Sequence, residues 1–215
     1  MRRFITILLT LLILLPLAAA ALTIDEIVER VKAVYAEAET LSCDLRRVTT
    51  SAMLGRRRVL IGTLRMALPD RFHIAYTTPQ EQYLTCDGET VWMYTPQNEQ
   101  VVYGPVEDYR ERRMLADLVG YFERDYAYIL DGTEEVNGRA THRLAMTARE
   151  ADNPYPAGAL WIDAELWLPV MVELVDEQGY KLSYRLSNIE LNVDLPAGIF
   201  GDPAPAGVER VEVNP

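Results

Sequence analysis

Residues 62–76 read Gly62-Thr-Leu-Arg-Met-Ala-Leu-Pro69-Asp-Arg-Phe72-His-Ile-Ala-Tyr76. Apolar residues alternate with other residues on both sides of Pro69, at Leu64 and Met66 and again at Phe72 and Ile74. A period of two is typical of a β-strand with one buried face, and a proline between two such runs is typical of a turn. The segment therefore predicts two β-strands that share one apolar face.

The same alternation continues on both sides of this segment. Leu41, Cys43 and Leu45 precede it, and an Asp87-Gly88 hairpin turn follows it, before Trp92 and Tyr94. Later strands are predicted at 126–130, 139–145, 159–163, 168–175, 180–186 and 189–193. About ten to eleven strands at roughly 10-residue spacing indicate a mainly β fold, an antiparallel sheet or barrel accompanied by helices.

The first twenty residues have the features of a cleavable signal peptide. Arg2 and Arg3 precede an apolar run that is too short to span a bilayer, and small residues follow at 18–21. We expect cleavage after Ala20 or Ala21, which leaves residues 21–215 as a single exported, soluble domain. Cleavage would remove two arginines and no acidic residue, so the formal charge would change from −11 to −13.

Two segments depart from the strand pattern. Apolar residues from Ile24 to Ala38 recur at helical spacing behind Thr23 and Glu26, which predict a capping box and an amphipathic helix. Met114, Leu115 and Leu118 recur at helical spacing within 107–122. That second helix could be a lid or an ordinary part of the core. The tail after Gly201 is rich in proline and glycine and resembles a strap that ends in a short extended piece.

Composition and motifs argue against several functions. Lys and Arg number 21 against 32 Asp and Glu, which argues against nucleic-acid binding. Two cysteines and two histidines are too few for a closed zinc site, so we expect neither a metal nor a cofactor. His73 and His142 lie on predicted strands without an evident catalytic partner, and no catalytic motif is visible, so the chain is not expected to be an enzyme.

Three consecutive arginines, Arg56 to Arg58, follow Gly55 at a predicted hairpin tip. Such a run fits either a solvated turn or a patch that docks a partner.

The chain resembles the outer-membrane lipoprotein carrier proteins of the LolA family and superfamily. The resemblance lies in an ungapped run of 35 residues with this spacing: Gly62, Pro69, Phe72, Pro79, Asp87-Gly88, Trp92, Tyr94 and Pro96. Weaker matches follow at Leu160-Trp-Ile-Asp163, Leu168-Pro169 and Phe200.

This resemblance implies an incomplete, strongly curved antiparallel β-barrel whose concave face is covered by an N-terminal helix and a lid helix over an apolar cavity. It implies a periplasmic lipoprotein carrier, a chaperone that binds acylated lipoproteins and moves them towards the outer membrane. Its partners would be an inner-membrane lipoprotein-releasing transporter and an outer-membrane acceptor, and the protein would be a monomer. By position, the cavity would be lined by Leu64, Met66, Phe72, Ile74 and Leu84, and by Met114, Leu115 and Leu118 on the lid.

One position departs from the family pattern. Proteobacterial carriers place an arginine before the proline that is Pro69 here, and its hydrogen bonds help to hold the lid closed. This chain has Leu68 at that lid-latch position, so closure would depend on apolar contact.

Other interpretations remain open at this point. One is a regulatory binding module that senses lipids or lipoproteins, because the same superfamily fold occurs in periplasmic regulators of envelope-stress signalling, where it is joined to a further domain. A third interpretation is a structural or carbohydrate- or polymer-facing β protein with a filled core and no cavity. Cys43 and Cys86 could form a disulfide in an oxidising compartment if their Cα atoms lie within about 7 Å of each other.

Overall fold

A computed structural model describes residues 22–51, 53–106 and 124–213 of the chain. Helix α1 spans Ile24–Glu37 and begins with the expected capping box. The Glu26 N–H donates to the Thr23 hydroxyl at 3.2 Å, and the Thr23 N–H donates to the Glu26 carboxylate at 2.8 Å. Within the described residues, no helix has the length and apolar character needed to cross a membrane. The predicted signal peptide (1–20) and the predicted lid helix both lie outside them.

The mainly β fold is confirmed, with twelve strands in the described part of the chain. They are β1 (Thr40–Ser51), β2 (Arg56–Ala67), β3 (Arg71–Thr78), β4 (Gln82–Cys86), β5 (Thr90–Thr95), β6 (Gln100–Pro105), β7 (Tyr126–Val136), β8 (Arg139–Ala148), β9 (Ala157–Asp163), β10 (Pro169–Val175), β11 (Tyr180–Leu191) and β12 (Glu209–Glu212). A 3₁₀ turn, Pro96–Asn98, joins β5 to β6. The two strands predicted at 180–186 and 189–193 form one strand, β11.

All twelve strands form one sheet, in the order β12-β6-β5-β4-β3-β2-β1-β11-β10-β9-β8-β7. Neighbouring strands are antiparallel except for β12, which pairs parallel to β6. The sheet is curved but open, because its edge strands β12 and β7 do not pair with each other. The expected barrel is therefore incomplete.

The main core lies on one face of the sheet, which we call the inner face. It is the face that carries Leu64 and Ile74, and residues two apart along each strand continue it. Helix α1 contributes Ile27 and Val31 to the same buried cluster. The apolar stripe of the helix therefore packs against the inner face of the sheet.

The chain after β11 covers part of the opposite, outer face. The Arg71 guanidinium lies 5.3 Å from the centre of the Phe200 ring, and the Ile199 backbone lies beside His73. His73 is thereby buried on the outer face, where it also hydrogen-bonds to the buried Thr85 hydroxyl at 3.2 Å. The strap-like tail then ends in β12, so it crosses the outer face from β11 to β6.

Gly62 on β2 lies beside a register shift between β2 and β3. A Cβ atom at this position would lie 2.1 Å from the Ala75 carbonyl oxygen, so the backbone would have to move. We expect Gly62→Ala to lower the free energy of unfolding by about 2–4 kcal/mol, measured by urea denaturation. The matched control is Gly201→Ala, where the nearest atom would lie 3.7 Å away. Equal unfolding midpoints for the two variants would contradict this account of Gly62.

Candidate functional site

The five predicted wall residues on the strands lie together on the inner face. Leu64 on β2 is opposite Ile74 on β3, which in turn is opposite Leu84 on β4. Two residues further along the same pair of strands, Met66 on β2 is opposite Phe72 on β3. Leu64, Phe72 and Ile74 are 0% exposed, and Met66 is also buried, whereas Leu84 is half-buried against them. The strands thus form a continuous apolar surface at the predicted position.

This apolar surface extends well beyond the predicted residues. Buried members on other strands are Leu41, Leu45, Leu144, Met146, Leu160, Val172, Leu182 and Tyr184. Each lies on its strand at the same period of two that identified the predicted residues. The signal was present in the sequence, but only the strand order shows that these residues share one face with Ile74.

One edge of helix α1 is held by an aromatic stack. The Arg30 guanidinium lies 4.4 Å from the centre of the Trp167 ring, and the ring of His142 stacks on Trp167 at 5.4 Å. Burial, and then the charge of Arg30, lower the pKa of His142, so this imidazole is neutral at pH 7. The stack connects the helix to β8 and to the turn that precedes β10.

Three side chains with polar groups, Tyr35, Cys43 and Arg47, lie on or beside the inner face. Burial raises the pKa of the Tyr35 hydroxyl, and burial, followed by the charge of Asp44, raises the pKa of the Cys43 thiol to about 12. Both groups therefore stay protonated at neutral pH. Arg47 lies over the ring of Tyr184 at 5.5 Å and places a cation beside the apolar surface.

Cys43 and Cys86 do not form a disulfide bond in the structure. Both thiols are buried and free. Cys43 lies on β1 and Cys86 on β4, and β2 and β3 lie between those two strands in the sheet. At about 4.8 Å for each strand step, their backbones are too far apart for a disulfide.

Leu68 lies at the end of β2, on the border of the inner face. Its side chain is partly buried against the main cluster, and its N–H donates to the Glu39 carbonyl at 3.0 Å. The predicted lid residues Met114, Leu115 and Leu118 lie outside the described residues, so contact between them and Leu68 stays a prediction.

Two grooves lined by described residues lie on the outer face rather than the inner one. One, of about 520 Å³, is lined by residues that include Arg46, Thr63 and Arg185. The other, of about 350 Å³, lies beside Asp163. Neither groove includes a predicted wall residue, and both have mixed polar linings.

Residues 36–201 match the family described as outer membrane lipoprotein carrier protein LolA. The chain belongs to the LolA family. Relatives named outer-membrane lipoprotein carrier protein include one from Bordetella avium, 28% identical over 99% of this chain and 100% of that protein. Another, from Methylibium petroleiphilum, is 29% identical over 91% of this chain and 93% of that protein. The description of the LolA family is that of a carrier, not of an enzyme.

Solved structures share the LolA-like fold of this chain. An uncharacterized conserved protein from Thermus thermophilus matches with a TM-score of 0.61 and 13% identity over 88% of this chain and 98% of that one. MucB matches with a TM-score of 0.52 and 15% identity over 87% of this chain and 64% of that one. These likenesses concern the fold alone.

Proposed function

We propose that this LolA-family protein is a periplasmic carrier that shelters the acyl chains of lipoproteins against its inner face and moves them towards the outer membrane. The observation that carries the proposal is the continuous apolar inner face of an open sheet, covered by an amphipathic helix, in a chain of this family. Residues 1–20 would direct export and be removed, and residues 21–215 would form the single carrier domain.

Energetics explain why such a surface is needed. Hiding an acyl chain from water gains roughly 0.8 kcal/mol for each CH₂ group, or on the order of 10 kcal/mol for a whole chain. A lipoprotein therefore crosses an aqueous compartment only if a protein surface replaces water around its acyl chains. The inner face offers aliphatic and aromatic side chains from strands across the sheet and from α1 for this purpose.

The described arrangement corresponds, in this proposal, to a closed state. Leu64, Phe72 and Ile74 have no exposed surface. Cargo can therefore reach them only if the segments that cover the inner face, such as helix α1, move away from the sheet. We call these segments the cover. Because β7 and β12 are not paired, the sheet can widen at this gap without breaking hydrogen bonds between strands. The free-energy cost of opening would then come mainly from the loss of apolar contact between the cover and the sheet.

Cargo recovered from the native periplasm tests this function. We expect mass spectrometry of the purified protein to find acylated lipoproteins. Lipid without any lipoprotein would favour a sensing module of the same fold instead, and neither ligand would favour a protein with a filled core. An inner-membrane transporter that loads the protein and an outer-membrane acceptor that unloads it would complete the transfer.

A second expectation concerns Leu68, which occupies the position of the family arginine. Charge-assisted hydrogen bonds from an arginine there would favour the closed state by about 1.5–3 kcal/mol. Leu68→Arg should therefore lower the affinity for a fluorescent acyl ligand about tenfold or more, measured by titration. Leu68→Met is the control that keeps the position apolar, and thermal melts confirm folding. Equal or tighter binding by the arginine variant would show that Leu68 does not face the cover.

A further inference from the structure

The tip of the β1–β2 hairpin exposes two neighbouring apolar side chains. Met53 is 78% exposed and Leu54 is 63% exposed, while the Leu54 N–H donates to the Ser51 hydroxyl at 3.3 Å. Gly55 completes the turn with a φ of 58°, a conformation that favours glycine. The turn therefore presents Met53 and Leu54 to the surroundings instead of folding them onto the sheet.

The hairpin also extends beyond the strand on one side of it. β3 pairs with β2 only as far as Ile61, whereas β1 and β2 remain paired as far as Ser51 and Arg56. Residues 56–60 of β2, about 16 Å of strand, thus have no strand on their β3 side among the described residues. On the other side, β11 supports β1 as far as Ser51. The tip therefore projects from the sheet, and a neighbouring strand supports it on one side only.

Three exposed arginines follow the apolar pair. None of Arg56, Arg57 and Arg58 forms an ion pair with another residue that the structure describes. The adjacent turn between β10 and β11 carries Asp176 and Glu177, but the Asp176 carboxylate accepts the N–H groups of its own turn. The tip is thus a basic and apolar patch on a chain whose formal charge is −11.

We propose that this hairpin tip binds the surface of an anionic phospholipid bilayer. Apolar side chains that project from a surface can enter the interface between headgroups and acyl chains, and arginines beside them attract lipid phosphates. A protein partner would need a pocket that fits Met53 and Leu54, whereas a bilayer accepts a projecting tip directly. The alternating strand places Arg56 and Arg58 on the same face as the buried Leu60, so binding turns this end of the inner face towards the lipid.

Vesicle binding by the exported protein without cargo tests this site independently of lipoprotein transport. The vesicles contain phosphatidylglycerol and phosphatidylethanolamine, and pure phosphatidylcholine vesicles serve as the zwitterionic comparison. Each basic residue near an anionic surface strengthens binding about fivefold, so replacing Arg56, Arg57 and Arg58 with glutamine should weaken binding roughly 100-fold. The matched control replaces Arg46, Arg149 and Arg185 with glutamine, which changes the net charge equally away from the tip. A Leu54→Trp variant should show a blue-shifted emission when anionic vesicles are added.

The expected results are binding to anionic but not zwitterionic vesicles, weaker binding at high salt, and a loss confined to the tip variant. An equal loss in the control variant would show that only net charge matters and would overturn the proposal. So would an absence of wild-type binding to the anionic vesicles. Binding to native membranes, but not to protein-free vesicles of the same lipids, would assign the tip to a membrane protein and would also overturn it.

Discussion

Replacing Leu84 with glutamate is expected to weaken the binding of an acylated lipoprotein by on the order of 100-fold. Leu84 lies between Ile74 and Met93 on the inner face and is only half-buried. A carboxylate at this position must lose its bound water when an acyl chain covers it. Its paired neighbours, Ile74 and Met93, are apolar and offer no positive charge that would offset this desolvation. Because Leu84 is not fully enclosed, the variant should still fold, unlike one with a charge at Ile74.

The matched control for this variant is Ile61→Glu. Ile61 is an exposed apolar residue on the outer face of β2, so the substitution adds the same charge on the opposite side of the sheet. Affinity is measured by titration of a labelled lipoprotein, and circular dichroism confirms folding. If Leu84→Glu binds like the wild type while folded, Leu84 is not part of the acyl-binding surface.

Replacing Asp163 with alanine is expected to lower the free energy of unfolding by about 2–4 kcal/mol. Asp163 is 0% exposed, and its carboxylate accepts hydrogen bonds from Arg139 and from the N–H groups of Glu165 and Leu166 at 2.9 and 2.8 Å. Removing the carboxylate leaves these donors without their acceptor at the turn between β9 and β10. Urea denaturation measures the loss.

Glu165→Ala is the control for this site. Arg139 also donates to Glu165 at 3.0 Å, but the Glu165 side chain is 84% exposed, so its loss should cost less than about 1 kcal/mol. Similar midpoints for the two variants would contradict the account of Asp163.

The contribution of Asp163 should also depend on pH. Burial alone would raise the pKa of its carboxyl, but the hydrogen bonds from Arg139, Leu166 and Glu165 outweigh burial and lower it. A lowered pKa contributes stability above the unfolded value of about 3.9, and this stability is lost as the pH falls through the folded value. The difference in stability between the wild type and Asp163→Ala should therefore be constant above about pH 5 and decrease below about pH 4.

The inner face could be predicted from sequence because it depends on local alternation. Leu64, Met66, Phe72 and Ile74 lie two apart on their strands, and the turn at Pro69 keeps the two pairs on the same face. Helix α1 was predicted for the same kind of reason, since its apolar stripe and capping box are local features.

Other features depend on contacts between distant segments. His73 lies at an outward position of β3 and is buried only because residues near Phe200 cross over it. The parallel pairing of β12 with β6 joins four exposed residues that carry no apolar pattern. The separation of Cys43 from Cys86 follows from the order of the strands, which alternation does not determine.

In the proposed function, the inner face holds the acyl chains of a lipoprotein and not its protein part. Size-exclusion chromatography with native mass spectrometry tests it directly, using one lipoprotein in two forms, acylated and with the acylated cysteine replaced by serine. We expect a water-soluble complex with the acylated form only. A complex with both forms, or with neither form while the protein is folded, would contradict it.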